Sequence, residues 1–160
     1  MDLMTVRERL DRLGLVLPQP AAMPVTTTFS WVRILGTRVV VSGHGPQNPD
    51  GSPAGPYGRV PDQVSLEEAQ QSARSAALAV IAAVERAVGD LDRIDAWVTV
   101  NGFVQAQPGY ARTTAVLNSF SEIVLAVFGP EVGDHARTAI GVAALPLDLP
   151  VVVAAELHTS

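Results

Sequence analysis

The sequence predicts an α+β fold: a mixed β-sheet with two main helices packed on one face, preceded by a short N-terminal helix. Three observations predict it. Stretches rich in Val, Ile, Thr and aromatics at Val25–Leu35, Arg38–Ser42 and Ile94–Val104 read as strands. Two long segments, from Ser65 to Val88 and from about Arg112 to Phe128, carry apolar residues at helical spacing. A final stretch, His135–Leu157, reads as two apolar strands joined by a turn bracketed by Pro146 and Pro150. A length of 160 residues fits one domain, 1–160, with 1–20 as a helical extension.

Taken in order, the chain opens with Leu3, Val6, Leu10 and Leu13 on one helical face and charged residues around the rest. Gly14 stops this helix, and Pro18 and Pro20 keep it stopped. The pattern is not a secretory signal, and no run reads as a membrane span, so a cytoplasmic protein with no membrane partner is expected. Gly36-Thr37 connects the first two strands tightly. From Gly45 to Val64 five prolines and four glycines describe one long surface loop, either a mobile lid over a cleft or an ordinary solvated loop. Ser65 and Glu68 form a capping box, and the alanines that follow let the helix lie close on a sheet. Within the third strand, Asn101-Gly102 marks a bulge or a close approach. Gly129-Pro130 closes the second long helix. One sheet face then lacks helical cover, and self-association is the simplest way to supply it.

Composition excludes several function classes. There is no cysteine, so disulfides and thiol chemistry are out. All 11 basic residues are arginine, which removes Schiff-base catalysis by lysine. A net charge of −5 without basic clusters argues against a nucleic-acid partner. No His/Asp/Glu group has metal-ligand spacing, and no cofactor motif is present, so neither a metal nor a cofactor is expected.

Arg137 is the lone full positive charge in His135–Leu157. A guanidinium offers a planar fork of donors that matches a carboxylate or phosphate two bonds at a time. The alternative is a surface ion pair with Asp134 or Glu131. His44 and His135 are candidate catalytic residues, since a neutral imidazole near pH 7 orients or deprotonates water. The alternative for each is a partly buried hydrogen-bonding histidine.

The whole chain resembles the RidA (YjgF-type) reactive-intermediate deaminase family, also known as endoribonuclease L-PSP, with a chorismate-mutase-like fold. The resemblance rests on Val40-Val41-Ser42-Gly43, on the capped Ala-rich helix and on Gly89-Asp90-Leu91-Asp92-Arg93-Ile94. It also rests on Arg137-Thr138-Ala139 leading to Val142-Ala143-Ala144-Leu145-Pro146, and the leading helix resembles a subgroup with an N-terminal extension. It implies a homotrimer with clefts between subunits, binding a small carboxylate-bearing metabolite and hydrolysing imines or enamines to 2-keto acids and ammonia. It implies that Arg137 clamps the carboxylate and that Ser42, Phe29, Asn118 and Ala139 line the site. A non-catalytic trimer that binds a small carboxylate is the alternative, and a ribonuclease is a third reading that the charge disfavours.

The sequence also departs from the family pattern. The glutamate that positions the attacking water is Val152 here, and a second frequent glutamate is Ala154. The usual first-strand tyrosine is Phe29, and the glutamine after Ser42-Gly43 is His44. Glu156 shares strand parity with Val152 but lies roughly 13 Å further along.

Overall fold

A computed structural model describes residues 3–160. Helix α1 (Val6–Arg12) opens with a capping box between Thr5 and Glu8. Of its predicted apolar face, Val6 and Leu10 are buried, while Leu3 and Leu13 are exposed. Met1 and Asp2 lie outside the described residues. Strands β1 (Val32–Leu35) and β2 (Arg38–His44) form the predicted hairpin. The first strand is shorter than the expected Val25–Leu35. Ser42 N–H still donates to Trp31 O and Ser42 Oγ–H to Ser30 O, but the regular ladder ends at Val32 and 25–31 lie outside the strand.

Helix α2 (Leu66–Val88) carries the predicted Ser65–Glu68 capping box and ends at Gly89. Strand β3 (Ile94–Gln105) follows, then α3 (Thr113–Val132), β4 (Ala136–Val142) and β5 (Val151–Thr159). Helix α3 passes the expected end at Phe128 through a kink at Gly129, whose φ of 85° only glycine adopts readily. By length and composition α3 is apolar enough to cross a membrane, which the sequence reading missed. Val116, Leu117, Phe120, Val124, Val127 and Phe128 are instead buried in the core.

The sheet order is β1-β2-β5-β3-β4, with β3 and β4 parallel and all other neighbours antiparallel. The last two strands are therefore not a pair, contrary to expectation. The parallel β3–β4 pairing needs a crossover, which α3 supplies, and β5 enters between β2 and β3. The turn between β4 and β5 bends through Leu147 and Asp148, both at positive φ. Asp148 is held there, its Oδ1 accepting from Gln105 Nε2 and its carbonyl from Gly58 N–H.

Helices α2 and α3 cover one face, as predicted. Gly102 is the close approach, not a bulge: a Cβ there would lie 2.4 Å from Leu117 of α3. The opposite face carries half-buried Val40, Phe103, Val152 and Ala154 with exposed Ile140. Glu156 shares this face and is paired with Arg38.

The 45–64 segment is not a free lid. Val60 N–H donates to Gln105 O and Gln107 N–H to Val60 O, pinning one end beside β3. In the middle, Gln19 N–H donates to Pro49 O and Ala22 N–H to Gly51 O, so residues 19–22 strap it down. Val60, Val64 and Gly51 are buried. Backbone groups paired in this way are not available for a hinge.

Candidate active site

The expected site residues fall into two clusters. The first is built on α3 and β4. Arg137 pairs in register with Val100 of β3 and turns its side chain toward α3. Its Nη1 donates to Ser121 Oγ at 2.8 Å and its Nη2 to Asn118 Oδ1 at 2.8 Å. Nη2 also points to Thr114 O at 3.5 Å, at the limit of a hydrogen bond. All three acceptors are uncharged, and the ion pair with Asp134 or Glu131 does not form. Partial burial pulls the Arg137 pKa below the usual arginine value, though the group stays a cation at neutral pH. A half-buried cation with only neutral partners is a site poised to take an anion.

Asn118, on α3, lies beside Arg137 through this bond. Ala139, two residues along β4, packs against the core and its carbonyl accepts from Thr113 Oγ1. Sequence reasoning missed Ser121. The signal was present: Thr114, Asn118 and Ser121 stand at i, i+4 and i+7, a polar stripe on an apolar helix. His135 belongs here too. Its Nδ1 lies 2.6 Å from Gly133 O and its Nε2 2.9 Å from Ser121 Oγ, so both ring nitrogens are engaged.

The second cluster lies where β2 leaves the sheet. Phe29 stacks edge-on against Trp31 at 4.9 Å between centroids, and the Trp31 ring lies 4.9 Å from that of His44. With Leu147, Leu149 and Val152 they line a cavity of about 300 Å³. Gly43 passes so close to Val152 that a Cβ on it would lie 2.8 Å from Cγ1. Ser42 sits one residue before, its hydroxyl donating to Ser30 O at 2.7 Å. His44 Nδ1 is 2.6 Å from Ser42 O. A carbonyl only accepts, so Nδ1 carries the proton and Nε2 is a bare acceptor. Burial is the main cause that lowers the His44 pKa, with a smaller contribution from the Arg86 charge, against the opposing Ser42 hydrogen bond.

A lowered histidine pKa has a defined consequence for stability. The unfolded chain takes up a proton near 6.5, whereas folded His44 does so only at lower pH. Stability is then unpenalised above 6.5 and falls as pH drops through that value toward the folded pKa. Urea midpoints at about pH 7.5 and about pH 5.5 should differ less in His44→Gln than in the wild type. Equal differences would show that His44 burial is not a source of the acid sensitivity.

The two clusters stand apart within one chain. Between β2 and β4 lie β5 and β3, a separation of three strand spacings or roughly 14 Å. Arg137 with Asn118 and His44 with Phe29 and Ser42 are thus two separate clusters in one chain. Among the described residues no group of acidic residues and histidines could hold a metal ion.

The family model described as Endoribonuclease L-PSP matches residues 20–156. The chain belongs to this family, which includes YjgF and RidA. It is 41% identical over 148 residues to Protein TCP17 of Trypanosoma cruzi, covering 92% of this chain and 90% of the relative. The Agrobacterium tumefaciens protein Atu1372 is 31% identical, with a TM-score of 0.85 over 97% of this chain and 92% of that one. E. coli YjgF shares the fold at 23% identity, with a TM-score of 0.59 over 87% of this chain and 91% of its own. The family match begins at residue 20, so α1 lies before it.

Proposed function

We propose that this protein binds a small carboxylate-bearing imine or enamine at Arg137 and hydrolyses its C=N bond, in clefts formed between the subunits of a homotrimer. The observation that carries the reading is Arg137 itself: a half-buried guanidinium whose partners are Ser121, Asn118 and Thr114, with no carboxylate among them. In the proposed reaction the enamine tautomerises to the imine, water adds to the imine carbon, and the C–N bond breaks. The products are a 2-keto acid and ammonia, with no change of oxidation state. Arg137 holds the carboxylate. His44, neutral and with Nε2 bare, takes the proton from water and returns it to the departing nitrogen.

The same geometry supports the trimer. Two half-sites about 14 Å apart in one chain act together only if a second copy brings its His44 cluster against Arg137. The uncovered sheet face, with Val40, Phe103, Val152 and Ala154, supplies the apolar surface to bury. Light scattering at micromolar concentration should return three times the monomer mass, and a monomer would reject the assembly.

A specific observation favours a second reading, a trimer that binds the carboxylate without turning it over. Val152 lines an apolar cavity at the position where the family's deaminases carry glutamate, leaving His44 as the one titratable group lining it. Ammonia release from freshly generated 2-aminoacrylate separates the two. A deaminase exceeds the buffer rate, and both Arg137→Ala and His44→Ala fall to it. A binder never exceeds buffer. The ribonuclease reading has least support, because a chain of net charge −5 offers no basic track for phosphates.

A further inference from the structure

We infer that Ser121 and His135 form a directed hydrogen-bond relay that positions Arg137. This rests on the reading of Arg137 as a carboxylate clamp and adds two residues to it. The direction of every link is forced by its ends. A guanidinium only donates, so Ser121 Oγ accepts from Arg137 Nη1 at 2.8 Å. The Gly133 carbonyl only accepts, so His135 Nδ1–H donates to it at 2.6 Å. His135 Nε2 is then an acceptor, and the Ser121 hydroxyl hydrogen, free after Oγ accepts from Arg137, donates to it at 2.9 Å. One tautomer satisfies all three bonds.

The far end of the relay is fixed in the fold. Gly133 is buried at the end of α3, and its N–H donates at 2.9 Å to the carbonyl of Gly129, the kink residue. A Cβ on Gly133 would lie 2.7 Å from Gly129 O, so only glycine fits this turn unchanged. The His135 ring lies 6.5 Å from that of the core residue Trp97. Arg137 is thereby tied through two side chains to the backbone carbonyl of a buried residue, while Asn118 holds its other terminal nitrogen. A guanidinium restrained at both nitrogens loses less rotamer freedom when it meets an anion. Ser121 and His135 are positioning residues: neither needs to touch the ligand.

Two measurements test this. The first is 15N NMR of His135 without ligand. The relay requires a neutral ring protonated at Nδ1 and bare at Nε2, and an Nε2–H tautomer at neutral pH overturns it. The second is the affinity for 2-ketobutyrate, with Arg137→Ala as reference. Ser121→Ala and His135→Leu should each weaken binding roughly fivefold. Ser121→Thr and His135→Gln, which keep a hydroxyl and an acceptor in place, should stay within about twofold of wild type. Loss in Arg137→Ala with no change in Ser121→Ala rejects the relay and leaves the clamp standing. Equal losses in Ser121→Ala and Ser121→Thr reject it in favour of simple packing. No change in Arg137→Ala rejects the clamp itself, which the NMR result does not depend on.

Discussion

Replacing Arg137 by alanine is expected to weaken binding of 2-ketobutyrate tenfold to a hundredfold. A charge-assisted contact is worth about 1.5–3 kcal/mol, which converts to that range. The wild-type guanidinium has already given up part of its water and has no carboxylate to lean on. An incoming anion therefore displaces no existing ion pair. Arg137→Lys should recover only part of the loss, because an ammonium on a flexible stem cannot reach Ser121, Asn118 and the ligand with one planar fork. Calorimetric titration at fixed salt is the measurement. Unchanged affinity in Arg137→Ala, with the assembly intact, would return Arg137 to a structural role holding β4 against α3.

Gly51→Ala is expected to be the most damaging single-methyl change in the chain, lowering stability by about 3–5 kcal/mol. Gly51 has φ +90°, and a Cβ on it would sit 2.0 Å from the Pro20 carbonyl oxygen. Both sides of that contact are backbone, and both are held by the Gln19–Pro49 and Ala22–Gly51 hydrogen bonds. Neither side can give way without losing the strap. Gly109→Ala is the control. Its φ is +86° but nothing lies within 4 Å of the added methyl, so it bears the dihedral strain alone. Thermal melts should place Gly51→Ala roughly 10 °C below wild type and Gly109→Ala well above it. Coincident melts would mean the strap does not hold in solution.

What was legible in the sequence was local. The capping boxes at Thr5 and Ser65, of which the second was read, place helix starts because their bonds span three residues. Gly36 and Gly89 mark ends for the same reason. The first strand was over-read because Thr26, Thr27 and Thr28 have strand propensity, and propensity does not say whether a partner is alongside. The separation of β4 from β5 is likewise decided by long-range pairing, since 94–105 slots between them. Arg137 stood out by sign and isolation, and Asn118 came with the family resemblance. Ser121 and the engaged nitrogens of His135 were hidden, because they depend on how α3 lies across β4. The 45–64 loop looked loose by composition, yet its prolines and glycines shape turns that other segments then fasten.

The position of β5 bears on how this chain can be made. Val151–Thr159 is the last strand in sequence and the middle one in space, paired on one side to Arg38–His44 and on the other to Ile94–Val104. Until it leaves the ribosome, β2 and β3 each present a bare, largely apolar edge to their surroundings. The nascent chain can build its helices and two separate ribbons, β1–β2 and β3–β4, but nothing joins the halves. Completion is one late insertion that closes both edges together, and it sets a premium on shielding the unfinished chain from its neighbours. Without Val151–Thr159 both ribbons would remain and the strand that joins them would be missing.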